Sequence, residues 1–374
     1  MRKAMASLAV FGILVTGGLS ACTDDGDQAS GSSGKGKTTA AGQGKVGIIL
    51  PDTKSSQRWA TDDPKFLEEA FKAANVPVQI ANAEGDKGRF VQIADDMIAE
   101  GVKVLMIVNL DSPSGKAVLD KARAAGIKTI DYDRLTLNGG ADYYVSFDNF
   151  QVGKLQGQTL VDCLTAKGVK NPIIAEVNGS PTDNNATDFK AGYDSVLQPK
   201  YDDALYTKGP DQWVPDWVNE EGGVIFAEML EQQPGIDGVV AANDGLANAV
   251  INVLKKKGLN KKVPVTGQDS TVQGLQNILT GDQCMTVFKD IKPEAQAAAD
   301  LAISLYNGEV PKTQAQQKDI ESGAYVPFVK LTPRAITIAN INEPIAKGFA
   351  DKNAVCKGKY AELCEKAGID LGKS

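Results

Sequence analysis

From Val46 onward, short apolar runs alternate with amphipathic helical stretches, and nothing else in the chain so narrows the folds open to it. Residues 46–50, 78–82, 104–110 and 127–132 read as strands, and 65–74, 90–100 and 115–125 as the helices between them. Strands that short and that continuously apolar bury both faces, and the intervening helices supply the two covering layers of a parallel sheet. The pattern restarts after a strand at 143–147, with further strands near 173–177, 204–208, 239–242 and 263–266, each followed by a helical stretch. At 374 residues the chain exceeds one ordinary core. The expected class is therefore α/β, with two doubly wound parallel-sheet domains in succession and a first boundary near 148–150.

Beyond the second repeat come a strand at 285–288, a helix at 293–306 and a strand-like run at 325–331. These extra elements imply that the chain crosses back. The expected domains are 45–148 plus 290–328 and 149–289 plus 329–345, followed by a C-terminal tail at 346–374. A multi-stranded connection of this kind favours hinge motion over free tumbling.

The chain opens with Arg2 and Lys3, an apolar stretch at 4–19, and then Leu19-Ser20-Ala21-Cys22. This reads as a lipobox, with residues 1–21 an export signal and Cys22 the acylated first residue of the mature protein. The apolar stretch is shorter than the roughly 20 residues that span a bilayer. The expected location is outside the cytoplasm, lipid-anchored on the outer face of the cell membrane or in the periplasm. Residues 22–44, rich in Asp, Ser, Gly, Lys and Thr, read as a flexible tether. The formal G-x-G-x-x-G at Gly42, Gly44 and Gly47 precedes a strand instead of following one, so it is no dinucleotide fingerprint.

Composition is globular, with 42% hydrophobic and 23% charged residues. Net charge is −7, or −9 once Arg2 and Lys3 leave with the signal, which disfavours a nucleic-acid partner. There is no histidine. That removes Ser-His-Asp and Cys-His catalysis, His-based zinc sites and the usual general base near neutral pH, and neither metal nor cofactor is expected. Of five cysteines, Cys22 is assigned to lipid, which leaves an even number in an oxidising compartment. Cys356 and Cys364 lie close enough in sequence for a local disulfide, whereas Cys163 and Cys284 read equally as buried thiols or a second bridge.

In open parallel sheets, ligands bind beyond the carboxyl ends of the strands. At those ends stand Arg58-Trp59, Asp131-Tyr132-Asp133-Arg134, the run from Asn178 through Asp183 to Asn185, Asp211-Gln212-Trp213 with Trp217, Asn243-Asp244, Gly267-Gln268-Asp269 and Lys289. Carboxylates and amides accept from hydroxyls, Arg and Lys donate to oxygens, and an indole packs on the C–H face of a sugar ring. Such charges need partners, which favours a wet cleft between the domains. Each residue also has a plainer reading. Asn, Asp and Gly after strands serve as turns and helix caps, and Trp213 and Trp217, four apart, fit one face of a core helix.

At these strings, which run from about residue 45 to 331, the chain resembles the periplasmic sugar-binding proteins of ATP-driven importers, most closely the D-xylose-binding proteins. Ser146-Phe147-Asp148-Asn149, Gly179-Ser180-Pro181 and Met285-Thr286-Val287 belong to the same match. The resemblance implies the type I periplasmic-binding-protein fold, with Trp59 and Trp217 sandwiching a pyranose. Arg58, Asp133, Arg134, Asp183, Asn185, Asn243, Asp269 and Lys289 would bond its hydroxyls, with Trp213 as a structural neighbour. The loop Pro51-Asp52-Thr53-Lys54-Ser55-Ser56 and the tail beyond Thr332 depart from the pattern.

The expectation is a monomeric, lipid-anchored receptor for a monosaccharide, D-xylose, that serves an ABC permease and performs no chemistry. Two rivals remain. One is a sugar sensor feeding a membrane signalling partner, and the other is an extracellular glycosidase drawing paired carboxylates from Asp133, Asp183, Asp244 and Asp269.

Overall fold

The computed structural model describes residues 44–372. The export signal, Cys22 and the tether up to residue 43 lie outside the described residues. In the first lobe, β1 (Val46–Leu50), β2 (Val78–Asn82), β3 (Val104–Ile107), β4 (Lys128–Tyr132) and β5 (Tyr143–Phe147) run parallel in the order β2-β1-β3-β4-β5. The connections carry α1 (Asp62–Ala73), α2 (Lys87–Ala99) and α3 (Ser112–Ala124). The pleat explains the apolar runs. Val46, Ile48 and Leu50 pack with Phe71, Val104 and Met106 on one face, while Ile49, Leu105 and Ile107 pack with Phe90, Met97 and Leu119 on the other.

The second lobe repeats the order with fewer strands: β6 (Ile173–Asn178), β7 (Thr207–Trp213) and β8 (Ile236–Ala241) lie as β7-β6-β8. Around them are α4 (Asn149–Ala166), α5 (Asn184–Asp202), α6 (Asn219–Gln232) and α7 (Asp244–Lys256). Two strands differ from expectation. At 263–266 only a single parallel bridge forms, from Val265 to Val239, because Pro264 has no N–H to donate. β7 lies later than 204–208, since Ala204 turns the chain at φ 53°, and Gly209-Pro210 sits in an edge strand that tolerates proline.

The chain then runs through α8 (Val272–Thr280) and β9 (Thr286–Phe288) and returns to the first lobe. There α9 (Ile291–Tyr306) buries Ala295, Ala298 and Leu301 against the β1 core. β10 (Ala315–Lys318) and β11 (Tyr325–Leu331) extend the first sheet, β11 parallel to β5 and β10 antiparallel at the edge. A third crossing leads to β12 (Arg334–Ile336), antiparallel to β9. The crossing expected after residue 328 falls after 331, because β11 stays paired with β5 through Leu331 and Phe147.

The expected tail is also revised. α10 (Asn342–Ala346), α11 (Lys352–Val355) and α12 (Ala361–Lys366) form a cap whose Val355, Cys364 and Ile369 pack on Leu275 and Ile278 of α8. A disulfide joins Cys356 to Cys364, and a second joins Cys163 to Cys284.

Candidate functional site

β1, between β2 and β3, and β6, between β7 and β8, occupy equivalent places in their sheets, where the connections diverge and a crevice opens past the strand ends. Loops from both lobes meet there around a small cavity. Arg58, Trp59, Asp133, Arg134, Asp183, Asn185, Trp217, Asn243, Asp269 and Lys289 all line it, together with Ser55, Ser56, Phe189 and Gln268.

The first-lobe wall is an ionic cage. Arg58 lies in a 3-10 turn, Gln57–Trp59, between β1 and α1. Its Nε and Nη2 donate to Asp63 at 2.8 and 2.7 Å, Nη2 also to Glu294 on α9 at 2.6 Å, and Nη1 to Asp133 at 2.8 Å. A guanidinium fixed on so many sides is oriented before any ligand arrives. It also stacks 4.2 Å from the centre of the Trp59 ring. Asp133, just past β4, takes the left-handed conformation at φ 61°, and its carbonyl oxygen accepts from Tyr144, Ser146 and Asn185. Those bonds offset the cost of that backbone conformation.

The second-lobe wall is held by its backbone. Asp183 caps α5 by accepting from the N–H of Asn185 at 2.9 Å, and Asn243 caps α7 from the N–H of Leu246 at 2.9 Å. Capping and cavity lining therefore coincide in the same residues. Asp183 also accepts from Trp217 Nε1 at 3.0 Å. Trp217 ends a 3-10 turn, Pro215–Trp217, with φ values of 49° at Asp216 and 57° at Trp217. Its ring fills the place of a side chain at Gly179, where a Cβ would come within 2.1 Å of it. Asp269, at φ 105°, completes the wall.

Bonds between the walls hold the lobes together. Arg134 pairs with Asp183 at 3.0 Å, Lys289 with Asp133 at 3.4 Å, and Ser56 donates to Asp269 at 3.0 Å. Burial pushes the Asp133 carboxyl up, but Lys289, Arg58 and Arg134 outweigh it and hold it at about 2. A glycosidase needs a carboxylic acid that keeps its proton near neutrality; Asp133 is the reverse, while burial pushes the cavity-lining Asp269 upward against the pull of Lys289 and Arg58. Burial does push Asp244 up to about 7. Yet Asp244 does not line the cavity, and its oxygens accept from Gln283, Thr271 and Thr286. Among the described residues no group of three His, Cys, Asp or Glu is placed to hold a metal ion.

This geometry has relatives. The family model described as periplasmic binding protein domain matches residues 46–309. The chain belongs to this family. It is 35% identical over 308 residues to the D-xylose-binding periplasmic protein of Escherichia coli (strain K12), covering 82% of this chain and 90% of that one. Against the multiple sugar-binding periplasmic receptor ChvE of Rhizobium radiobacter the identity is 35% over 326 residues, with 83% and 91% covered. A solved carbohydrate transporter solute binding protein from Chloroflexus aurantiacus, in complex with D-glucose, matches with a TM-score of 0.76 at 28% identity over 83% of this chain and 97% of that one. The protein is thus a periplasmic binding protein of the type I fold, not an enzyme, and membership implies export. No described helix is long and apolar enough to cross a membrane.

Within this periplasmic binding protein, Asp211-Gln212-Trp213 is not a cleft loop. These residues end β7, Asp211 binds Lys190 and Asn178, and Trp213 packs on the second-lobe core instead of lining the cavity. The helix-face reading of Trp213 with Trp217 fails for the same reason. Asp63 and Glu294, which hold Arg58, went unread. Asp63 stands five residues after Arg58, a local signal, but Glu294 is 236 residues away on an ordinary-looking helix. Phe189 also lines the cavity, and its position on α5 reads as core.

Proposed function

We propose that this protein captures a monosaccharide, D-xylose, and presents it to an ABC permease from a lipid anchor at Cys22. The observation that carries the reading is the cavity lining: three cations, Arg58, Arg134 and Lys289, face three carboxylates, Asp133, Asp183 and Asp269, with amides and two indoles between them. A charge-balanced set of strong donors and acceptors suits a neutral polyhydroxylated ring, whose hydroxyls serve as donor and acceptor at once. Trp59 and Trp217 supply faces for the C–H surfaces of the ring. Trp59 Nε1 is buried without a protein partner, a donor available to a sugar oxygen.

The bound sugar touches both lobes, so it stabilises only the closed state, and that state is what a permease would recognise. The tether would keep the receptor at high local concentration beside its partner. Calorimetric titration against xylose, ribose, arabinose, glucose and galactose tests the reading. Xylose should bind most tightly, and Trp217→Ala should lower its affinity by at least about tenfold while the unliganded protein still unfolds cooperatively. No heat with any of these sugars would refute the proposal, and wild-type affinity in Trp217→Ala would make that indole scaffold only.

A further inference from the structure

Outward of the Arg134–Asp183 pair the lobes part again. The chamber beyond is wider than the inner cavity, and Ser55, Arg134, Asp183 and Trp217 line both. Further in the lobes are in contact, where Ser56 meets Asp269 and Lys289 meets Asp133. Each wall is braced within its own lobe. Asp52 accepts from the N–H groups of Lys54 and Ser55 at 2.7 and 2.6 Å, Lys87 pairs with Asp111 at 2.6 Å, and Ser180 accepts from the N–H of Asp216 at 3.1 Å. Among the described residues, the only hydrogen bond or ion pair joining two of its lining residues across the lobes is Arg134–Asp183.

We propose that this chamber is a second sugar subsite, so that the protein takes β-1,4-linked xylose disaccharide with one ring in the inner cavity and the other outside. This rests on the monosaccharide reading above. The lining suits a sugar ring: Trp217, Leu110 and Val218 offer apolar surface, and Lys87, Asp216 and Asn219 offer donors and acceptors. The glycosidic link has one ion pair to displace, and both of its partners can bond hydroxyls instead.

Titrating D-xylose and xylobiose side by side tests the subsite in the wild type and in Lys87→Ala and Asn219→Ala, whose unliganded unfolding is checked first. Xylobiose should bind, and each substitution should weaken it by about tenfold, the loss of one well-made hydrogen bond, while xylose affinity stays within about twofold. Xylose binding without xylobiose binding overturns the subsite alone. So does a xylobiose affinity that neither substitution changes. No heat from xylose overturns the monosaccharide reading, and the subsite with it.

Discussion

The two lobes hold their halves of one cavity by different physics. In the first, cavity-lining side chains are fixed by other side chains: Arg58 is gripped by Asp63 and Glu294, and these in turn are fully buried. In the second, they are fixed by the main chain, through helix caps at Asp183 and Asn243 and left-handed turns at Trp217 and Asp269. The supporting structures differ in the same sense. The first lobe has a seven-stranded sheet and no disulfide among its described residues, while the second has three strands, a short ribbon and both disulfides. A smaller sheet buries less, and cross-links make up the difference. The first lobe should therefore be sensitive to charge, and the second to chain constraint.

The largest expected effect breaks that constraint. The bridge from Cys163 to Cys284 spans 121 residues, almost the whole second lobe, so replacing both with serine should destabilise it by ~5 kcal/mol on the loop-entropy account. Urea unfolding followed by tryptophan fluorescence should show an early transition, because Trp213 and Trp217 belong to the second-lobe core. A single unshifted transition would mean that the lobes do not differ in this way.

Next comes the ionic cage. Asp63→Ala removes the bidentate partner of a buried guanidinium and should cost ~3–5 kcal/mol, the usual penalty for leaving a buried charge uncompensated. Glu294 is a poor substitute, since burial, opposed by Arg58, leaves its carboxyl pushed up to about 8. Differential scanning calorimetry of the unliganded protein reads the loss. A change below ~1 kcal/mol would show that Glu294 and Asp133 suffice to hold Arg58.

The same contrast decides what could be read from the chain. Strand ends were legible because a sheet packed on both faces leaves only its ends for polar groups, so Asp133, Asp183 and Asp269 stand out against apolar runs. The backbone-held wall was half legible: caps at Asp183 and Asn243 announce themselves, but the left-handed turn that places Trp217 does not. The cage was not, since its key carboxylate comes from α9 after two lobe crossings, and helical periodicity gives Glu294 no special mark. The C-terminal cap escaped because its apolar residues lie in helices of four to six residues, too short to show a period.

Acid gives the smallest effect and bears on the seam between the lobes. Asp133 ionises at about 2 in the folded protein, against the ordinary 3.8, because Lys289, Arg58 and Arg134 outweigh its burial. A depressed folded value means that the unfolded chain binds the proton more readily. The stabilisation is therefore present above about pH 4 and is lost as pH falls through 4 toward 2, a difference on the order of 2 kcal/mol. Lys289 comes from the second-lobe side of the crossing into α9 and Arg58 from the first, so protonating Asp133 loosens the cage and the contact between lobes together. Asp133→Asn should flatten that part of the stability–pH curve and lower stability near neutrality by a similar amount. If the wild-type and Asp133→Asn curves keep the same slope between pH 4 and 2, the charge dependence of the cage lies elsewhere, and the contrast between an ionic and a backbone-held wall fails at its central residue.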